Sequence, residues 1–144
     1  MADEPNPAPI QVYLTVKGAD AAAKFYAKAF GAVETQRQVA EDGKRLMHCT
    51  MALFGSGIMF SDEFPEFGMK DVASPKTRGG ASVTIHVNLE TPEEVDTVMA
   101  NAKAEGAEIT FPADRMFWGA YYGKLLDPFG HSWSFAAPAP TPTA

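Results

Sequence analysis

The stretches "KAFGAVET" (residues 28–35) and "KAEGAEIT" (residues 103–110) carry Lys, Ala, Gly, Ala and Thr at the same offsets. Each stretch ends a segment whose apolar residues recur at helical spacing. Each of these segments follows an alternating stretch that is typical of a strand, at 11–17 and 82–88. A β-α-β order therefore occurs twice in the chain.

The ends of both helices can be read from the sequence. Gly31 and Gly106 stand where a helix commonly ends in a left-handed residue. Thr91 is predicted to cap the second helix, with Pro92 as its first residue and Glu94 as the far end of a capping box.

Further short strands follow each β-α-β unit, so the fold class is predicted to be α+β, with two βαβββ modules. If the modules pair about a pseudo-twofold axis, their mixed and antiparallel strands form one curved sheet cup. A single domain is expected over 8–137, with modules at 8–63 and 81–137. The Pro-, Gly- and Lys/Arg-rich segment 64–80 is predicted to be a linker or lid without helix or strand. The proline-rich segment 138–144 is predicted to be a flexible tail.

Composition narrows the classes of partner. Hydrophobic residues make up 46% of the chain and charged residues 21%, which is typical of a globular protein. The start of the chain does not resemble a secretory signal and there is no long apolar run, so a cytoplasmic protein without a membrane partner is expected. The net charge of −6, with dispersed Lys and Arg, argues against nucleic acid and favours neutral or cationic small molecules. The single cysteine, Cys49, is expected to be buried and unreactive.

Alternation along the strands predicts a polar face opposite the helices. The hydroxyl, amide, imidazole and thioether groups on this face could orient an organic ligand, although a solvated outer surface is the alternative interpretation. Its predicted members are Gln11, Tyr13, Thr15, Met59, Ser61, Ser82, Thr84, His86, Ser132, Ser134 and Ala136.

A cluster of aromatic residues precedes the last strand. Phe117, Trp118, Tyr121 and Tyr122 could stack on a ligand, and Arg115 at the mouth would suit a planar or anionic group. Core packing explains about half of these residues equally well.

The turn that follows these aromatics is interpreted as structural rather than catalytic. Asp127, Pro128 and Gly130 have the chemistry of a tight turn, and the ring of His131 is expected to bond locally. Trp133 is expected to face the helices.

The segments "QVYLTVKGADAAAKFYAKAFGA" (11–32) and "FWGAYYGKLLDPFGHSWSFA" (117–136) resemble the vicinal oxygen chelate superfamily, the glyoxalase/bleomycin resistance/dioxygenase group. The segments "MHCTMALFGSGIMFSDEFPEFG" (47–68) and "SPKTRGG" (74–80) resemble its PhnB-like branch. The resemblance implies a small-molecule-binding protein, and its alternative is a divalent-metal-dependent lyase, isomerase or dioxygenase.

Metal enzymes of this superfamily take one ligand from each of four strands, and the resemblance carries those positions onto Gln11, Met59, Ser82 and Ser134. Of the four, Gln11 alone is a plausible donor, so no metal cofactor is expected. The alternative is a divalent metal held by Gln11, His48 and His86, with Asp62 or Glu63 at a strand end.

The predicted ligand-binding set is Gln11, Tyr13, Met59, Ser82, Thr84, Arg115, Trp118, Tyr121 and Ser134. A homodimer is expected, because each module leaves edge strands unpaired and relatives build their cups across a twofold axis.

Overall fold

The computed structural model describes residues 8–140. Eight strands and three α-helices follow one another in the order that the repeat predicts. The elements are β1 (Val12–Val16), α1 (Ala19–Phe30), β2 (Val33–Val39), β3 (Leu46–Leu53), β4 (Ser56–Asp62), α2 (Pro75–Arg78), β5 (Thr84–Asn88), α3 (Pro92–Ala104), β6 (Glu108–Arg115), β7 (Ala120–Leu126) and β8 (Ser132–Pro138).

The strands form two four-stranded sheets with the same topology. The first sheet has the order β1-β4-β3-β2 and the second has the order β5-β8-β7-β6. In each sheet the first strand is parallel to its neighbour and the other pairs are antiparallel. The predicted α+β class with two βαβββ modules is confirmed. The sheets stay separate, because β1 and β5 are both edge strands.

The helix ends follow the sequence signals. Gly31 adopts the left-handed conformation at φ 69° after α1, and its N–H caps the carbonyls of the last turn. The Thr91 hydroxyl accepts a hydrogen bond from the Glu94 N–H at the start of α3. Helix α1 packs against α3, so both helices lie on one side of the molecule and the polar faces of both sheets look the other way.

One aromatic core joins the two modules. Tyr26 and Phe30 of α1 lie 5.7 and 4.8 Å, between ring centroids, from Trp133 of β8. Trp133 is 1% exposed, so the prediction that it faces the helices is confirmed.

The turn after β7 supplies a polar joint inside that core. Buried Asp127 accepts hydrogen bonds from the Tyr26 hydroxyl at 2.6 Å and the Trp133 indole N–H at 3.0 Å. The prediction of local bonding by the His131 ring is wrong, because Nε2 donates to the carbonyl of Thr15 at 2.9 Å. This turn therefore ties the second module to both α1 and β1.

The linker at 64–80 is more ordered than its composition indicates. A 3₁₀ turn covers Pro65–Phe67 and the short helix α2 begins after Ser74, whose hydroxyl accepts from the Thr77 N–H. The prediction of a segment without helix is therefore wrong.

The start of the expected tail is also packed. Strand β8 includes Pro138, and buried Ala139 donates its N–H to the Gly119 carbonyl at 3.0 Å. The flexible tail predicted from residue 138 is therefore wrong for these two residues, and its end at 141–144 lies outside the described residues. Within residues 8–140 there is no helix with the length and hydrophobicity of a membrane span.

Candidate functional site

The polar face of the first sheet is built from rows of cross-strand neighbours. Tyr13 pairs with Met59, which pairs with Thr50, so these three side chains share one face. The Tyr13 hydroxyl lies 3.0 Å from Nδ1 of His48, whose Nε2 lies 2.7 Å from the Thr50 hydroxyl. Burial raises the pKa of Tyr13, and a hydrogen bond with Ser61 opposes that shift.

The polar face of the second sheet carries a second histidine network. His86 Nδ1 lies 2.7 Å from the Ser134 hydroxyl, and Nε2 lies 3.0 Å from Oδ1 of Asn88. An amide oxygen only accepts, so Nε2 carries a proton, and in the neutral ring Nδ1 accepts from the Ser134 hydroxyl. Thr84 and Ser132 form another hydroxyl pair at 2.9 Å. The imidazole is held in one orientation by groups on both sides.

Four rings stand together on this second face. The Tyr122 ring is stacked against His86 at 6.2 Å between centroids. Its other neighbours are Phe111 at 5.9 Å and Trp118 at 6.0 Å, both edge to face. We call His86, Phe111, Trp118 and Tyr122 the aromatic wall. Trp118 is 56% exposed, so it is not a core residue.

Two of the sequence-predicted residues lie on the opposite face. Tyr121 pairs with Arg115 on one side and with buried Ala137 on the other, which places its ring on the side of α3. Its hydroxyl donates to Asp96 of α3 at 2.6 Å, and this hydrogen bond raises the pKa of Tyr121 to about 12. The grouping of Tyr121 and Arg115 with Trp118 is therefore wrong.

Tyr122, which the sequence analysis named as a stacking residue but left out of the ligand-binding set, takes the place given there to Tyr121. The position of Tyr122 on this face could have been predicted by counting back across the turn, because Tyr122 pairs with Ala136, which alternation had already placed on the polar face. Asn88 was missed because its role depends on the orientation of the His86 ring.

The seam between β1 and β5 holds two cavities. One, of about 470 Å³, brings Gln11 together with His86 and Asn88. The other, of about 260 Å³, brings Tyr13 together with Ser82. Predicted site residues from both modules therefore meet along this seam, whereas Met59, Thr84 and Ser134 line neither cavity.

The residues present do not fit the metal of the superfamily's enzymes. Two of the four matching positions are hydroxyls and one is a thioether, all weak ligands for Zn²⁺, Ni²⁺ or Fe²⁺. Ser134 is already bonded to His86, and both ring nitrogens of His48 and His86 have neighbours within hydrogen-bond distance. Across residues 8–140, no three His, Cys, Asp or Glu side chains are grouped as metal ligands.

The acidic residues proposed to complete a metal site are occupied elsewhere. Asp62 accepts backbone hydrogen bonds from Gly18, Ala19 and Leu46 at 2.8–2.9 Å. Glu63 accepts from the Ser74 N–H at 2.9 Å. Both carboxylates therefore secure the strand ends and the linker.

The chain was compared with known proteins. The family model of the glyoxalase/bleomycin resistance protein/dioxygenase superfamily matches residues 9–135. An uncharacterized protein of Mycobacterium bovis is 37% identical over 138 residues, which cover 96% of this chain and 88% of that protein.

Solved structures show the same fold. The PhnB protein from Bacillus cereus superposes with a TM-score of 0.70 at 23% identity, covering 90% of this chain and 99% of that one. The fosfomycin resistance protein FosX from Listeria monocytogenes, complexed with Mn(II) and sulfate, gives a TM-score of 0.68 at 16% identity, covering 93% and 94%. The resemblance read from the sequence is thus confirmed: the chain belongs to the glyoxalase/bleomycin resistance protein/dioxygenase superfamily and has a PhnB protein among its structural neighbours.

Proposed function

We propose that this protein binds a small organic molecule on the polar face of the second sheet, against the aromatic wall. The observation that carries the proposal is the ring cluster around Tyr122, which stays partly open to solvent. Trp118 is 56% exposed and Phe111 is 41% exposed. Exposed rings in mutual contact offer a surface on which a planar group can stack.

Oriented polar groups stand beside these rings. The hydrogen-bonded His86–Ser134 pair and the Thr84–Ser132 pair lie on the same face and could exchange their bonds with a ligand. The seam cavity of about 470 Å³ adjoins His86 and falls in the size range of small-molecule sites. A few fixed polar groups next to an apolar wall are typical of such sites.

The binding role is favoured over a metal-dependent enzyme because of the donor set described above. Metal analysis of protein purified without chelator tests this choice. A tightly held divalent metal in equal proportion to the chain would overturn it in favour of the lyase, isomerase or dioxygenase.

A cytoplasmic homodimer is part of the same proposal. Support for the dimer comes from the edge strands β1 and β5 and from the apolar side chains beside them, Ile10 at 90% and Val83 at 68% exposure. Light scattering at micromolar concentration gives the mass, and a monomer contradicts the dimer.

Intrinsic fluorescence provides the binding test. The chain has two tryptophans, and Trp133 is buried, so iodide quenching reports selectively on Trp118. A planar aromatic hit from a small-molecule library should protect Trp118 from iodide and shift its emission. Trp118→Ala lacks the fluorescent reporter and is titrated by calorimetry beside the unmodified protein. Its free energy of binding should be weaker by about 0.5–1.5 kcal/mol, which is the range for an aromatic contact.

Phe67→Ala is the matched control, because Phe67 is also 56% exposed but lies in the linker. Its affinity should equal that of the unmodified protein. If both variants bind as tightly as the unmodified protein, the aromatic wall is not the site.

A further inference from the structure

A third cavity lies away from the aromatic wall and is separate from the two seam cavities. It has a volume of about 830 Å³ and lies between the linker and the ends of β1 and β4 where their shared direction brings Val16 and Asp62 side by side. Its lining includes no residue of the aromatic wall and shares only Ala73 with the seam cavities. We call it the linker cavity.

The carboxylates that line the linker cavity are all engaged. Asp62 accepts three backbone N–H groups at 2.8–2.9 Å, and Glu63 accepts the N–H of Ser74 at 2.9 Å. Asp20 is bridged to cations of α1 and β2 at 3.1 and 2.9 Å. A cationic ligand would have to compete with these protein donors for the carboxylate oxygens.

Of the four cationic side chains that line the linker cavity, only one is paired with carboxylates of the described residues. Arg45 is bridged to Asp42 at 2.7 Å and to Glu66 at 2.6 Å. The other three are Lys17, Lys44 and Lys70. Among residues 8–140 these three lysines form no ion pair with a carboxylate, although Lys17 is near enough to Glu63 to contribute to lowering the pKa of that carboxyl. Their ammonium groups can therefore accept an anion without breaking an ion pair.

The rest of the lining is apolar and lies mostly on the linker. Pro65, Met69, Val72 and Ala73 contribute hydrocarbon surface to the cavity. The N-terminus of α1 borders the cavity, but the N–H groups of Gly18 and Ala19 are already bonded to Asp62 and are closed to a phosphate. Apolar walls with three lysines therefore suit a molecule that has an aliphatic body and a single anionic end.

The linker is held in place on both sides of this lining. Arg45 is bonded to Glu66 and lies 4.3 Å from the centroid of the Phe64 ring. On the other side, Ser74 is bonded to Glu63, and Arg78 donates to the Lys70 carbonyl. The apolar strip at 69–73 is thus anchored over the strand ends.

We propose that the linker cavity binds an aliphatic carboxylate, with its chain against the linker strip and its carboxylate at Lys17, Lys44 and Lys70. This site is independent of the ligand proposed for the aromatic wall. The lining has four cationic side chains and three carboxylates, so its formal charge is positive in a protein of net charge −6, and this local charge favours an anion.

Calorimetric titration with decanoate and with decanol tests the proposal. Saturable binding of one decanoate per chain is expected, with decanol binding at least tenfold more weakly because it lacks the charge. Lys44→Gln/Lys70→Gln should weaken decanoate about tenfold or more and leave decanol unchanged. The matched control is Lys28→Gln/Lys103→Gln, which removes two lysines from helix ends distant from the cavity and should leave decanoate binding intact.

Backbone amide NMR shifts locate the decanoate. Shifts should concentrate at 17–19 and 68–73, and they should persist in Trp118→Ala. Absence of saturable decanoate binding overturns the proposal. Equal decanoate affinity in the two double lysine variants, or loss of decanoate binding in Trp118→Ala alone, overturns it as well.

Discussion

Replacing Asp127 with Asn tests whether one buried carboxylate joins the two modules. Oδ2 of Asp127 accepts from the Tyr26 hydroxyl and the Trp133 indole, and Oδ1 accepts from the backbone N–H groups of Phe129 and His131. An asparagine keeps the shape but offers one acceptor oxygen and one donor group. If that oxygen stays with the turn, the new NH₂ group faces two donors.

The loss can be worked out bond by bond. The Tyr26 hydroxyl can rotate and accept from the new NH₂ group, but the Trp133 N–H can only donate and loses its partner. An orphaned buried donor costs about 1–3 kcal/mol, and the remaining bonds weaken because their acceptor is now neutral. The smaller desolvation of an uncharged amide offsets part of this. We expect the free energy of unfolding to fall by about 2–4 kcal/mol.

Urea unfolding of four proteins measures the effect: the unmodified chain, Asp127→Asn, Trp133→Phe and the double variant. Phenylalanine has no N–H to orphan, so Asp127→Asn should cost about 1–3 kcal/mol less in the Trp133→Phe background. Additive costs would refute the assignment of the loss to Trp133. A cost below about 0.5 kcal/mol for Asp127→Asn alone would refute the joint itself.

Three other predictions concern single positions. In Gly123→Ala the new methyl would overlap the Met99 side chain, so the free energy of unfolding should fall by about 1–3 kcal/mol. Adding Met99→Ala should restore part of that loss, and urea unfolding measures both effects. Burial raises the pKa of Cys49 to about 12, so iodoacetamide at about pH 8 should label the unfolded chain and leave the native protein unlabelled by mass spectrometry. The hydrogen bond to Asp96 raises the pKa of Tyr121 to about 12, above the value of about 10 expected in the unfolded chain. The stabilisation that this bond gives the folded protein is therefore complete below about pH 10 and is lost as the pH rises towards 12. Urea midpoints of the unmodified chain and Tyr121→Phe should therefore converge between about pH 9 and about pH 12, and a constant difference contradicts this.

The fold could be predicted because its signals are local. The caps at Gly31 and Thr91 and the alternation along the strands depend on neighbours in sequence, and the structure has both helices where those signals place them. The linker was misjudged because Ser74 caps a helix of a single turn, which composition alone does not reveal. The role of His131 was misjudged because its acceptor, the Thr15 carbonyl, is 116 residues away.

The candidate site was less predictable because it depends on the register of one hairpin. Side chains alternate along a strand, so a shift of one residue between β7 and β8 would exchange Tyr121 and Tyr122 between the helix side and the polar face. That register is set by the turn, in which Asp127 accepts backbone bonds and Gly130 adopts a φ of 88°. From the sequence, such a turn is predicted to have a structural role only. It nevertheless determines which tyrosine stands beside His86 and Trp118, and so which ring a ligand on this face would meet.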